Sequence, residues 1–271
     1  MTVVDLWVNA LTGKAAAAFL GQAGNEGIPE LLGGDLSASS TLQHLLVTMD
    51  ACGVDIGVIA AGIASEETGP LLRDVATHSD RLRVALTVDR PDRPVQQVAR
   101  LRALAADPAV ALVRITPLVH QYPLNDKLYY PIYATCAELG LPVSINVGIP
   151  GPRVRSACQH PELLEDVLID FKGLTVIGAH MGHPYEGLLM QYMLKWPDLY
   201  LSNSAYLAKY MDPALVSFMD STRGLGRVLY ASDHPFLPMD RAVAAARDLP
   251  LSDAAAEAFL GGTAARLLQL G

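Results

Sequence analysis

The sequence predicts a single-domain α/β protein, a (β/α)8 TIM barrel spanning residues 1–271. Three observations lead there. Short apolar runs alternate with helix-period segments from one end of the chain to the other. There are eight such units, and 271 residues is a length at which eight units close into one barrel. Alternation of this kind implies parallel strands joined by right-handed crossovers. An open doubly wound sheet is the rival, but it would more often carry a glycine-rich phosphate loop after its first strand. Neither G-x-G-x-x-G nor G-x-x-x-x-G-K-S/T occurs.

Strands are expected over residues 2–8, 54–61, 83–89, 110–116, 142–147, 174–180, 199–203 and 227–231. After the first, Leu42, Leu45, Leu46 and Met49 recur at helical spacing, and Gly53 ends that helix as a left-handed cap. Pro70 opens a helix over 70–78. Residues 94–106 form the next, with Val95, Val98, Leu101 and Leu104 read as inward. Helices follow over 131–139 (stopped by Gly140), 161–169, 185–195, 213–221 and 241–247, and a last one over 254–268. The segment 10–41 has no periodicity and is rich in glycine. A stretch this long after the first strand is read as a lid over the barrel mouth.

Composition narrows the function. Hydrophobic residues make up 51% of the chain and charged residues 18%, which suits strands covered on both faces. Net charge is −8, so no basic footprint for nucleic acid exists. No apolar run approaches the length needed to cross a membrane. Three cysteines, Cys52, Cys136 and Cys158, lie far apart in no metal or redox spacing. With no basic segment at the start, they point to a cytoplasmic protein. No G-x-S-x-G elbow is present, which disfavours serine hydrolysis.

The strand ends carry the chemistry-bearing residues. They are Asp5, Trp7 and Asn9 on the first strand, Arg114 and Thr116 on the fourth, and Asn146 on the fifth. His180 and His183 follow the sixth, Asn203 the seventh, and Asp233 and His234 the eighth. Residues two apart on a strand share a face, so Asp5, Trp7 and Asn9 look the same way, as do Arg114 and Thr116. In a barrel of this kind the C-terminal strand ends surround the active site. Each residue also has a plainer reading. An Asp before a turn often caps backbone amides, a strand-end His is often a core residue, and Arg114 is a candidate for a buried ion pair with Asp5 or Asp233.

The segments VDLWVN, NDKLYYPIYATCAELGLPVSINVGIPGP, LTVIGAHMGHPY, LYLSNSAY and VLYASDHPF resemble, in order, the amidohydrolase-related family. This is the branch that includes decarboxylases, hydratases and lactone hydrolases. The family carries D-x-H-x-H on its first strand, a histidine on its fifth, a histidine in an H-x-G turn after its sixth, and S-D-x-P after its eighth. Here Trp7 and Asn9 stand in place of the first two histidines and Asn146 in place of the third, while His180 and Asp233 match. Catalytic zinc usually takes three protein ligands. The pair His180 and Asp233 therefore leaves room only for a weak or rearranged divalent ion such as zinc, and the expectation is a site with no cofactor.

The resemblance implies a hydrolase of a small carboxylated lactone, ester or amide. Asp233 would be the base for water, or His180 the base and Asp233 its orienting partner. Asn9, Arg114 and Asn146 would donate hydrogen bonds to the substrate. Arg153 and Arg155 would clamp a second carboxylate, and Trp7, His183 and His234 would complete the contacts. A decarboxylase or other lyase of an aromatic or unsaturated acid is the alternative, and a catalytically silent binding protein the second. The partner in each case is a small carboxylate, and the resemblance allows a homo-oligomer.

Overall fold

A computed structural model describes residues 1–9, 21, 25, 41–78 and 80–270. The lid expected over 10–41 lies outside the described residues, apart from positions 21, 25 and 41. Eight strands form one parallel sheet in sequential order: β1 (Val4–Val8), β2 (Ile56–Gly62), β3 (Leu82–Thr87), β4 (Val110–Ile115), β5 (Val143–Asn146), β6 (Val176–Ala179), β7 (Leu199–Ser202) and β8 (Val228–Leu229). Helices separate them, as the alternation required. Their sequences are nearly continuous apolar runs because both faces are covered. Ile59, Val84, Val113, Val143 and Leu199 pack under the helices. Val58, Leu112, Ile177 and Leu229 pack together in a second apolar cluster.

The barrel closes at a seam between β8 and β1 that ordinary ladder bonds do not make. The β8 strand is only two residues long because the Tyr230 N–H donates to the Phe259 carbonyl at 2.9 Å. Phe259 lies in a π-turn, Ala258–Gly262, that interrupts the terminal helix expected over 254–268. Gly261 is required in that turn: a Cβ there would sit 2.1 Å from the Thr2 carbonyl oxygen, so only glycine lets the helix approach β1 so closely. The wider turn of a π-bulge supplies the carbonyl that a regular helix would use internally.

Side chains and irregular bonds finish the seam. The fully buried Asp5 carboxylate accepts from the Ser232 N–H at 2.8 Å and from the Trp7 N–H at 3.2 Å. The Leu6 N–H donates to Tyr230 O at 3.2 Å, the Asp233 N–H to Trp7 O at 2.8 Å, and the Asn9 N–H to His234 O at 2.7 Å. The register of β1 against β2 shifts between Asp5 and Val8, the mark of a bulge that re-aims the side chains after it.

One expectation differs in detail. Val95 is not inward but 82% exposed, in the first turn after Pro94. The buried polar contact of that helix, Pro94–Leu104, is Gln97, whose amide donates to Asp89 at 3.1 Å. A side-chain hydrogen bond to the loop after β3 sets the helix rotation there, and the apolar spacing alone mistook it by part of a turn.

Asp5→Ala removes one acceptor from two buried N–H groups at the seam, at a cost of about 1–3 kcal/mol per group left unpaired. Urea denaturation should show a loss of that order for Asp5→Ala and a markedly smaller one for Asp5→Asn, which keeps an acceptor oxygen in place.

Candidate active site

The C-terminal ends of the strands surround a cavity of about 540 Å³. Asp233, His180, Trp7, Asn9, Asn146 and Thr116 all line it, drawn from both sides of the seam and from β4 to β6. The rest of the wall is largely apolar, including Leu118, Val147, Leu207, Tyr206, Phe236 and Leu237.

Asp233 sits where β8 gives way to a loop, with φ 67°, a left-handed conformation that aspartate tolerates better than most side chains. It is nearly fully buried. The Asn9 amide donates to its Oδ1 at 2.8 Å. Burial pushes its pKa up to about 7; the hydrogen bond from Asn9 and the Arg114 charge only partly oppose that. Asp233 is therefore a carboxyl that holds a proton near neutrality.

His180 also has a left-handed backbone, φ 62°, and so does Met181 after it, φ 59°. Two adjacent non-glycine residues in this region are uncommon and mark a constrained turn. Ser204 fixes it from both sides. Its hydroxyl accepts from the His180 N–H at 3.0 Å, and its carbonyl lies 3.1 Å from Nδ1. The same hydroxyl oxygen lies 2.9 Å from Nδ1; because a carbonyl can only accept, the tautomer with the proton on Nδ1 is the one that suits both oxygens, and it leaves Nε2 its lone pair. Burial lowers the pKa to about 4, and Arg114 lowers it further against the pull of the Ser204 hydrogen bond. The imidazole is neutral at pH 7.

Trp7 separates these groups from Arg114. Its ring meets that of His180 at 4.8 Å and 58°. On the indole stands the Arg114 guanidinium, 4.0 Å from the ring centroid. Arg114 is buried, donates through Nη2 to the carbonyls of Leu6 (3.1 Å) and Val58 (2.9 Å), and is not part of the cavity wall. Burial lowers its pKa to about 9, while Asp233 and Asp5 pull the other way. It forms neither of the ion pairs considered from the sequence. It holds the indole by a cation–π contact and adds positive potential beneath the floor.

The other expected residues separate. Asn146 is in the wall. The His183 Nδ1 pairs with Glu186 at 2.6 Å and the ring packs on Tyr206, outside the cavity. His234 serves the seam through its backbone, bridging Val8, and its ring does not reach the cavity. Arg153 is exposed and away from the wall, although its neighbours Gly151 and Pro152 are in it. Arg155 is likewise absent from the wall. Asn203 links β7 to β8, accepting from the Ala231 N–H at 3.0 Å and donating to Tyr206 O at 3.0 Å. Two wall residues carry no motif in the sequence. Gln159 is buried and clamps Gly148 O at 3.0 Å. Arg241 lies on the helix after β8, Met239–Arg247.

The profile of the amidohydrolase family matches residues 34–270. The chain belongs to this family. No curated protein matches the sequence. Three solved structures share the barrel fold. An uncharacterised TIM-barrel protein from Bordetella bronchiseptica is 21% identical with TM-score 0.82, over 100% of this chain and 99% of its own. A 5-carboxyvanillate decarboxylase from Novosphingobium aromaticivorans, holding manganese and 4-hydroxy-3-methoxy-5-nitrobenzoic acid, is 16% identical with TM-score 0.75, over 99% and 96%. A dihydroxybenzoic acid decarboxylase from Polaromonas, with manganese and 2-nitroresorcinol, is 15% identical with TM-score 0.76, over 99% and 97%.

The two decarboxylase structures correct the expectation of a site without cofactor: both hold a divalent ion, manganese. Among the described residues of this amidohydrolase, however, no group of three or more His, Cys, Asp or Glu side chains is placed to hold a metal. An indole beside His180 and an amide on Asp233 take up the space and one carboxylate oxygen. The described residues do not fit a three-ligand site.

His180 also has a consequence for stability. With its pKa depressed below that of the unfolded chain, it contributes stability present above about pH 6.5 and lost as pH falls through 4. Denaturant unfolding at pH 7 and pH 4.5 should show His180→Gln losing less stability on acidification than the parent protein.

Proposed function

We propose that this amidohydrolase is a carboxy-lyase acting on an aromatic or unsaturated carboxylic acid. The observation that carries the reading is a buried carboxyl, Asp233, that lines the same largely apolar cavity as the neutral imidazole of His180, with Trp7, Tyr206 and Phe236 in the wall. Decarboxylation breaks the bond between the carboxylate carbon and the ring or alkene carbon and leaves the electron pair on the latter. That carbon must then receive a proton. A carboxyl protonated near neutrality is suited to give it. Aspartate becomes the carboxylate, carbon dioxide leaves, and a solvent proton restores the acid.

The neighbouring groups have parts in this scheme. Asn9 fixes Asp233 by holding one oxygen. His180, with Nδ1 committed to Ser204, keeps Nε2 as an acceptor for a hydroxyl on the substrate. The aromatic wall suits a flat ring. Decarboxylases of 5-carboxyvanillate and of dihydroxybenzoic acid among the structural neighbours support a lyase over the hydrolase expected first. In a hydrolase the same aspartate would need to be ionised to take a proton from water, and its burial disfavours that form.

Incubation with 2,6-dihydroxybenzoate, 5-carboxyvanillate and related acids, with and without added manganese, should release carbon dioxide and introduce no solvent oxygen into the organic product. Asp233→Asn, folded by circular dichroism, should lose roughly 100-fold or more of that rate, the usual weight of a positioned general acid. Incorporation of labelled water oxygen into product would instead establish hydrolysis.

A further inference from the structure

We infer that Arg241 is the specificity-determining residue of this cavity, and that the substrate carries a second anionic group, remote from the reacting carboxylate, which Arg241 binds. The inference rests on the carboxy-lyase reading and deepens it. Among the described residues that line the cavity, Arg241 is the one arginine, and no lysine accompanies it. Arg114 is excluded from the wall by the indole above it. Arg153, one of the two loop arginines expected to clamp a carboxylate, lies outside the wall and so does Arg155. An acid entering a protein of net charge −8 meets its positive partner at Arg241.

The location decides which anion it serves. Arg241 is exposed, on the first turns of the helix after β8, whereas Asp233 is buried at the strand end. A guanidinium on the reacting carboxylate would stabilise the charge that must disappear as carbon dioxide forms, and so oppose the reaction. At the rim it can hold a different group while the reacting end descends to Asp233 and His180. Energy from a remote contact of this kind orients substrate without stabilising the bond that breaks. Arginine forms no hydrogen bond or ion pair here with the described residues. Its planar fork suits a carboxylate held through two parallel bonds. The substrate class is therefore a benzene dicarboxylate or an acid with a comparable second anion.

Calorimetric titration of the full chain with benzoate and with the 1,3- and 1,4-benzenedicarboxylates tests this. One of the dicarboxylates should bind at least about tenfold tighter than benzoate, the weight of one charge-assisted pair at a partly solvated site. Raised salt should narrow that gap. Arg241→Ala should abolish the preference, and Arg241→Lys should restore part of it. If the preference persists in Arg241→Ala, or is lost in Arg153→Ala instead, the inference is overturned and the carboxy-lyase reading stands. If none of the three acids binds the parent protein, both fall.

Discussion

The junction of the first and last strands governs this molecule. Seven of the eight strand contacts are parallel ladders, two of them with a register shift. The eighth is assembled from a buried carboxylate, a π-turn carbonyl and three crossed backbone bonds. The same irregularity that shortens β8 places Asp233 against the backbone of Trp7 and the amide of Asn9. A regular ladder would have carried the chain straight past that point. Closing the barrel and building the acid are one act of folding, and the left-handed backbone at Asp233 is its local cost.

Much of this was legible in the sequence, and for identifiable reasons. Doubly covered strands read as apolar runs whatever their neighbours, so the order of elements followed from pattern alone. Gly53 and Gly140 marked helix ends because each adopts φ 66°. Asp233 and His180 stood out because chemistry-bearing residues follow apolar strands abruptly. Other features were closed to such a reading. Period two puts Arg114 on the same face as Thr116, yet only packing decides that the indole lies between it and the cavity. Arg241 sits in a helix of otherwise ordinary composition, and nothing in its spacing tells which residue of the first turn meets the mouth. The π-turn depends on a contact between residues 2 and 261, too distant for any local signal.

The family and the residues pull in different directions at the site. Barrels solved with manganese share this architecture. This chain keeps the imidazole and carboxylate that match the family pattern, and it surrounds them with an indole, two amides and a buried guanidinium. Trp7 touches both the Arg114 guanidinium and the His180 ring; burial keeps that imidazole uncharged, and the Arg114 charge adds to the effect. A neutral histidine and a protonatable aspartate line the same largely apolar cavity. Burial, which raises one pKa and lowers the other, accounts for both.

The central claim is that the seam holds Asp233 as a carboxyl that ionises near neutrality. Carbon-13 NMR of the side-chain carboxyl groups, with the Asp233 resonance assigned by its absence in Asp233→Asn, measures this directly. The account predicts a titration midpoint near about 7. A midpoint in the ordinary aspartate range, around 3.9, would contradict it.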